Sequence, residues 1–169
     1  MNDIEIREEE KKDIPDIRKV TALAFKDKPY ADGDEQDVID RLRDAKALSL
    51  SLVAIENGNV VGQITFSPTK NSDGSIPWFG LGPVSVLPSH QGLGIGAYLI
   101  NTGLKRIRDF GALGCILTGN PDYYKKFGFV LSPDNAPKEE PIEYFMINLF
   151  NEVKTDGIFS FHEAFYGTT

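Results

Sequence analysis

The sequence has a single cysteine, Cys115, and only two histidines, His90 and His162. One cysteine cannot form an internal disulfide, so the composition fits a reducing compartment. So few sulfur and imidazole ligands argue against a dedicated zinc site, and we expect no metal cofactor.

Long hydrophobic runs are also absent. No apolar segment approaches the roughly 20 residues that a membrane-spanning helix needs. The charged N-terminus, MNDIEIREEEKKD, has no apolar centre and does not resemble a signal peptide. A formal net charge of -7 argues against broad electrostatic binding to nucleic acid or to an anionic membrane. These absences predict a soluble, cytoplasmic protein.

Hydrophobic residues make up 41% of the sequence, which is enough for a sizeable core. A length of 169 residues favours one domain, and we predict a single domain over residues 1–169. Periodicity predicts a strand, two helices, a hairpin at the Asn57-Gly58 turn, a third strand, a helix, and then shorter elements. Residues 153–169 are predicted to form an extended C-terminal segment. The order predicts an α/β (α+β) fold with a mostly antiparallel sheet.

The third strand, predicted at residues 78–88, contains Gly80, Gly82 and Pro83. Glycine and proline inside a strand indicate a bulge or the close approach of another backbone or a ligand. The segment LPSHQGLGIGAYLI follows, and a helix is predicted at residues 93–110.

Three glycines, Gly92, Gly94 and Gly96, lie where this strand gives way to the helix. The free N–H groups of a helix N-terminus bind anions, and glycine lets a phosphate approach the backbone. The alternative is a tight turn that requires positive φ. The formal match to G-x-G-x-x-A is a weak indication of a dinucleotide site, because too little chain follows for a doubly wound domain.

Two motifs resemble the GNAT family of N-acetyltransferases. The segment VLPSHQGLGIGA, at residues 86–97, is similar to the family's V-x-P followed by [RQ]-x-x-G-x-[GA], with Gln91, Gly94 and Gly96 at the named positions. Downstream, YKKFGF at residues 124–129 resembles the family's Y-x-x-x-G-F element. Within the family, GNPDYYKKFGF is similar to the YhbS-like acetyltransferases. The resemblance covers residues 4–149.

The resemblance implies acetyl-CoA as the donor. It implies a GNAT-like sheet, flanked by helices, that is splayed between the strand at residues 79–86 and the strand at 115–118, where the cofactor enters. The pantetheine arm would lie along Val84, Ser85 and Val86. The pyrophosphate would lie on the backbone amides of Gln91, Gly92, Leu93, Gly94, Ile95, Gly96 and Ala97.

The implied reaction is direct attack by the amine of a small molecule or of a protein. The backbone N–H of Val86 would stabilise the oxyanion, and Tyr124 would be the general acid. Tyr123 is the rival. Adjacent helical residues point about 100° apart, so we expect only one of them to face the site.

The candidates for the general base are a water relay, Asp32, Asp34 and Glu35. A solvent-exposed helix face and a helix N-cap would also explain these three acidic residues. His90 is expected on a surface loop, His162 in packing or beside the acceptor, and Cys115 in the core. A non-catalytic acyl-CoA-binding module is the alternative function. We expect a small-molecule or protein amine as the acceptor, no nucleic-acid or membrane partner, and a monomer or homodimer.

Overall fold

The computed structural model describes residues 3–167, so the first two and last two residues of the predicted domain lie outside it. The described residues form the strands β1 (Glu5–Glu8), β2 (Leu50–Glu56), β3 (Asn59–Asn71), β4 (Trp78–Val86), β5 (Gly114–Thr118), β6 (Val130–Leu131), β7 (Phe145–Leu149) and β8 (Phe159–Ser160). They also form the α-helices α1 (Ile14–Phe25), α2 (Glu35–Asp44), α3 (Ile95–Asp109) and α4 (Pro121–Tyr124).

The strands join in one mixed sheet in the order β1-β2-β3-β4-β5-β7-β6, with β8 paired to β3. Every pair is antiparallel except β4 with β5. The mixed, mostly antiparallel architecture with flanking helices confirms the predicted fold class.

Helices cover both faces of the sheet, as the alternation along β2 requires. Leu52 and Ala54 pack in the core cluster that contains α3, whereas Val53 and Ile55 pack in the cluster that contains α1. The close contact of α3 depends on Gly103, because a Cβ there would collide with the ring of Phe66. The helix therefore lies directly against β3.

The sheet is splayed between β4 and β5, as predicted. The two strands are parallel and pair only from Trp78 opposite Gly114 to Gly80 opposite Ile116. Beyond Gly80 the strand β4 continues to Val86, and its register is shared with β3 alone. A gap therefore opens between the C-terminal halves of β4 and β5.

A bulge in β4 lies at the start of this gap. Ile64 pairs with Val84 and Phe66 with Leu81, so β4 contains one residue more than β3 between the two pairs. Gly82 within the bulge has a φ of 128°, which L-residues with a side chain rarely adopt. The glycine and proline that interrupt the strand pattern therefore form the predicted bulge.

The β2–β3 hairpin also has the predicted turn. Asn57 and Gly58 have φ angles of 50° and 81°, and a type I′ turn needs both to be positive.

The C-terminal segment departs from the extended prediction. Its only described strand is the two-residue β8, and residues Glu163–Tyr166 form a 3-10 turn instead. Tyr144 lies in another 3-10 turn, which precedes β7. Among residues 3–167, none of the helices has the length and apolar character needed to cross a membrane.

Candidate active site

Backbone groups of β4 face the open gap at alternate positions. The N–H of Leu87 donates to the carbonyl of Val61 at 2.9 Å, so Leu87 faces β3. Successive residues of a strand direct their backbone groups to opposite sides. Val84 and Val86 therefore direct their N–H and C=O groups into the gap. The side-chain amide of Gln91 donates to the Val86 carbonyl at 3.0 Å, which ties the following loop to this edge.

Ser85 differs from its two neighbours. Its backbone faces β3 by the same alternation, and its buried hydroxyl accepts from Gln63 at 2.7 Å and contacts Thr21 at 3.2 Å. Of the three strand residues predicted to contact a cofactor, only Val84 and Val86 have backbone groups in the gap.

The glycine-rich loop makes a left-handed turn into α3. Gly92 and Gly94 have φ angles of 81° and 88°, and Gly94 is the N-cap residue, with no side chain to cap the helix. A Cβ on either glycine would have no neighbour within 4 Å, so open space lies above the loop. The turn explanation therefore holds for Gly92 and Gly94 but not for Gly96, which lies within α3, and the space that an anion requires is also present.

The first turn of α3 has unpaired donors by its geometry. The first intrahelical hydrogen bond runs from the Tyr98 N–H to the Gly94 carbonyl at 3.0 Å. The N–H groups of Ile95, Gly96 and Ala97 come before it and have no carbonyl of the same helix to donate to. The side chain of Ile95 is buried in the core, whereas Leu93 is exposed. Any contact of Ile95 with a ligand would have to come from its backbone.

Tyr123 and Tyr124 both line one cavity, so the expectation that only one would face the site is wrong. The Tyr123 hydroxyl lies 3.4 Å from the position of a Cβ on Gly96, beside the first turn of α3. The Tyr124 ring packs edge-on to Phe129, with the ring centroids 6.0 Å apart, and against Gly119. The two side chains therefore reach different parts of the same space.

The tyrosines also differ in their surroundings. Burial is the main cause that raises the pKa of both phenols, and Tyr124 is the more deeply buried. The Tyr124 hydroxyl makes no hydrogen bond with any residue between 3 and 167. It is thus held in its neutral form, with its proton available to a ligand.

The cavity has a volume of about 1030 Å³. It extends from the β4 bulge and the end of β5 to the loop before α2 and the C-terminal segment. Within residues 3–167, its lining includes eight aromatic residues and four acidic ones but no Lys, Arg or His. The aromatic residues are Phe25, Tyr30, Tyr123, Tyr124, Tyr144, Phe161, Phe165 and Tyr166, and the acidic residues are Asp32, Asp34, Glu35 and Glu140.

The three predicted base candidates lie together on this cavity. Asp32, Asp34 and Glu35 bring carboxylate oxygens within 4.8 Å of one another. Asp34 accepts from Arg41 at 3.1 Å and makes no side-chain cap to α2. Glu35 accepts from the backbone N–H groups of Asp32 and Gly33 at 3.0 and 3.1 Å. Asp34 is therefore tied to α2 and Glu35 to the backbone of the loop before it.

Sequence reasoning missed the walls contributed by Tyr30, Glu140 and the C-terminal aromatics. The Tyr166 hydroxyl donates to Glu140 at 2.6 Å, which joins two segments that are distant from the motifs. No local pattern marks these residues, because only the tertiary fold brings them together.

Three other candidates lie outside the cavity. His90 pairs with Glu56 at 2.9 Å, and the Nδ1 atom of His162 accepts from the Ala164 N–H at 3.0 Å, capping the last 3-10 turn. Cys115 is fully buried, and this burial raises the pKa of its thiol, so the thiolate needed for covalent catalysis is disfavoured.

The splayed mixed sheet, with a glycine-rich start to α3 beside the gap, defines the class of GNAT-fold acetyltransferases. A family model described as acetyltransferase (GNAT) domain matches residues 5–132. The chain belongs to this family, as the two sequence motifs predicted.

Two curated relatives come from Escherichia coli strain K12. The uncharacterized N-acetyltransferase YjhQ is 35% identical over 138 residues, which cover 80% of this chain and 73% of YjhQ. The uncharacterized N-acetyltransferase YhbS is 32% identical over 99 residues. That match covers 58% of this chain and spans only 59% of the length of YhbS.

Two solved structures are similar over nearly the whole chain. A GNAT family acetyltransferase from Brucella melitensis, in complex with acetyl-CoA, is 42% identical with a TM-score of 0.86, covering 98% of this chain and 99% of its own. YhbS from Escherichia coli, in complex with CoA, is 26% identical with a TM-score of 0.87, covering 100% of this chain and 95% of its own. The resemblance to the YhbS-like group is confirmed.

Proposed function

We propose that the protein transfers the acetyl group of acetyl-CoA to a primary amine. The observation that carries the proposal is the gap between β4 and β5, which opens onto the cavity at one end and leads toward the glycine-rich loop. A thioester with a long, polar arm fits such a gap, because the arm pairs with a free strand edge while its phosphates meet helix amides. The acetyl-CoA in the Brucella relative supports this choice of donor.

In this proposal the pantetheine amides pair with the backbone groups of Val84 and Val86. The pyrophosphate lies on the amides of residues 91–97, with Gly92 and Gly94 leaving room for it. Ser85 contributes by holding the strand to α1 and β3 rather than by touching the donor.

The reaction forms one N–C bond and breaks one C–S bond. A neutral amine nitrogen attacks the thioester carbonyl carbon, and the Val86 N–H, which faces the gap, stabilises the negative oxygen that develops. The C–S bond then breaks, and Tyr124 supplies a proton to the departing sulfur. The products are an N-acetylated amine and CoA with a free thiol.

The nitrogen must lose one proton before attack and another afterwards. These protons pass to water in the cavity or to the carboxylates of Asp32, Asp34 or Glu35, which face the same space. The proton given up by Tyr124 is regained from the same pool, so the enzyme returns to its starting state.

The test is thiol release from acetyl-CoA in the presence of a panel of primary amines. We expect release that depends on both the protein and an added amine, with the N-acetylated product identified by mass spectrometry. Tight CoA binding without release for any amine would instead favour the non-catalytic acyl-CoA-binding module.

We further propose that residues 1–169 act as one domain, in the cytoplasm, as a monomer or homodimer. The continuous sheet across residues 5–160 supports one domain, and the unpaired Cys115 fits a reducing compartment.

A further inference from the structure

We infer that the acceptor is a small linear diamine or polyamine, an amine that keeps a second positive charge while one nitrogen reacts. The inference rests on the proposed acetyl transfer and names the class of substrate for the same site. It comes from the charges and the walls of the cavity, since the sequence motifs concern only the donor.

The charge on the cavity wall is of one sign. Four carboxylates line the cavity, and no Lys, Arg or His among the described residues does so. Arg41 pairs with Asp34 from outside the lining. Asp32, Glu35 and Glu140 have no cationic partner within residues 3–167. Such a wall attracts a cation and repels an anionic acceptor.

A second feature indicates where the other end of the acceptor lies. The Tyr124 side chain lines the same cavity, is partly buried, and its hydroxyl has no hydrogen-bond partner in the described chain. A phenol that no protein group pairs with is free to donate to a bound ligand. The cavity therefore offers a proton donor at the splayed strands and carboxylates near α2, which matches a ligand with two distinct ends.

Aromatic side chains supply the surface for the carbon chain of such an amine. Phe25, Tyr30, Phe161 and Phe165 line the cavity together with the carboxylates. Methylene groups pack on aromatic faces, and an ammonium beside such a face gains a cation–π attraction. A linear diamine alternates the same two features, since its charges are separated by methylenes.

The C-terminal segment favours a free small molecule over a lysine of a folded protein. Phe161, Phe165 and Tyr166 form part of the wall, and the hydrogen bond from Tyr166 to Glu140 joins this segment to the loop before β7 on the exposed side. A slender amine needs less room beside this connection than a folded protein that presents a lysine.

The binding test compares 1,4-diaminobutane with butylamine, which have the same carbon chain and differ by one ammonium group. Calorimetry at low salt, on the protein saturated with CoA, should give an affinity about tenfold higher for the diamine. Longer linear diamines and spermidine extend the series if the carboxylates lie farther from the thiol. Equal affinities of monoamines and diamines across the series would overturn the inference.

Two variants test which carboxylates are responsible. Asp32→Asn and Glu140→Gln each remove one negative charge from the cavity and conserve shape. Together they should reduce the affinity for the diamine about tenfold and change that for butylamine less than about twofold. Asp44→Asn is the matched control, because Asp44 is an exposed carboxylate at the other end of α2, outside the cavity. An equal effect of the control would show general attraction only and overturn the inference.

Turnover separates this inference from the proposed function. Diamine binding with these variant effects, but without thiol release, would refute acetyl transfer and leave the cation site standing. Thiol release with equal kcat/KM for the monoamine and diamine would support acetyl transfer and overturn the cation site. A higher kcat/KM for a lysine peptide than for every free diamine would overturn the choice of a small acceptor.

Discussion

At the residue scale, the proposed chemistry depends on the direction of single groups along β4 and α4. Val86 faces the gap because it lies one residue before Leu87, whose N–H is paired to β3. Tyr124 lines the cavity beside Gly119 and Phe129, whereas the hydroxyl of Tyr123 lies beside Gly96. A shift by one residue in either element would exchange these roles.

Replacing Tyr124 by Phe tests the general acid. We expect kcat to fall about a hundredfold, because the departing thiolate loses its proton donor. CoA affinity should change less than about twofold, since the ring and its packing on Phe129 are kept. Steady-state kinetics and calorimetry measure the two quantities. The matched variant is Tyr123→Phe, for which we expect a much smaller loss of kcat, and the reverse order would assign the role to Tyr123.

The pH dependence follows from the direction of the Tyr124 pKa. Burial raises this pKa above the usual tyrosine value of about 10. The phenol therefore stays protonated at neutral and mildly basic pH, and activity should rise with pH as the amine loses its proton. A pH profile of kcat/KM should show no decline from Tyr124 below about pH 10. A decline near pH 8 that disappears in the Phe variant would contradict this assignment.

The sequence could not fully assign these residues. It identified Tyr124 through the spacing to Gly128, and the role stays a prediction. It could not show that the backbone groups of Ser85 face β3. The position of the β4 bulge decides which side of the strand each backbone group faces, and the sequence pattern does not reveal that position. One extra residue reverses the side to which every following amide points.

At the scale of elements, α3 is positioned by glycines at its start and middle. Gly94 provides the left-handed N-cap, and Gly103 provides the close contact with Phe66 on β3. Sequence reasoning gave a tight turn with positive φ as the alternative to an anion site at this loop, and it did not identify Gly94 as the N-cap. It did not predict the role of Gly103 either, since a single glycine inside a helix does not indicate which side chain it contacts.

Gly94→Val tests the loop. We expect CoA affinity to fall more than about tenfold, because a branched side chain would occupy the space above the helix start. The φ of 88° also strains the variant, so a control needs equal strain. Gly111→Val provides it, with a φ of 90° and equally open space at the other end of α3. Calorimetry with CoA on the folded variants should show a loss for the first alone, and equal losses would mean that strain is the cause.

Gly103→Ala tests the packing of the helix. The added methyl would collide with the buried ring of Phe66, so we expect a loss of about 1–3 kcal/mol in the free energy of unfolding. Asn101→Ala, at an exposed position of the same helix, should change it by less than about 0.5 kcal/mol. Urea denaturation measures both, and equal stabilities would show that the helix moves away without cost.

At the scale of the whole molecule, the acceptor cavity is assembled from segments that are far apart in the chain. The loop before α2, the β4 bulge, the short α4 and the C-terminal segment each contribute a wall. The family and the fold could be predicted because their motifs are local and the strand order is regular. The acceptor site could not, since its residues meet only through tertiary packing.

Phe161→Ala tests the contribution of the C-terminal wall. Phe161 lines the cavity, covers Gly80 and packs against Phe145. We expect KM for the amine to rise about tenfold, whereas CoA affinity stays within about twofold, because only the acceptor side loses contact area. Ile158→Ala is the control, since Ile158 is exposed in the same segment and outside the cavity. A change in CoA affinity equal to that in KM would contradict the division between the two sides.

The short register between β4 and β5 has a consequence for the stability of the protein. With only three residue pairs between them, strands β1 to β4 and strands β5 to β7 resemble two smaller sheets joined at one end. A compound that bridges the open end stabilises both against unfolding, by about 2.7 kcal/mol at a hundredfold excess over its Kd. The melting temperature therefore serves as a screen for donors and for their analogues, and it requires no knowledge of the acceptor.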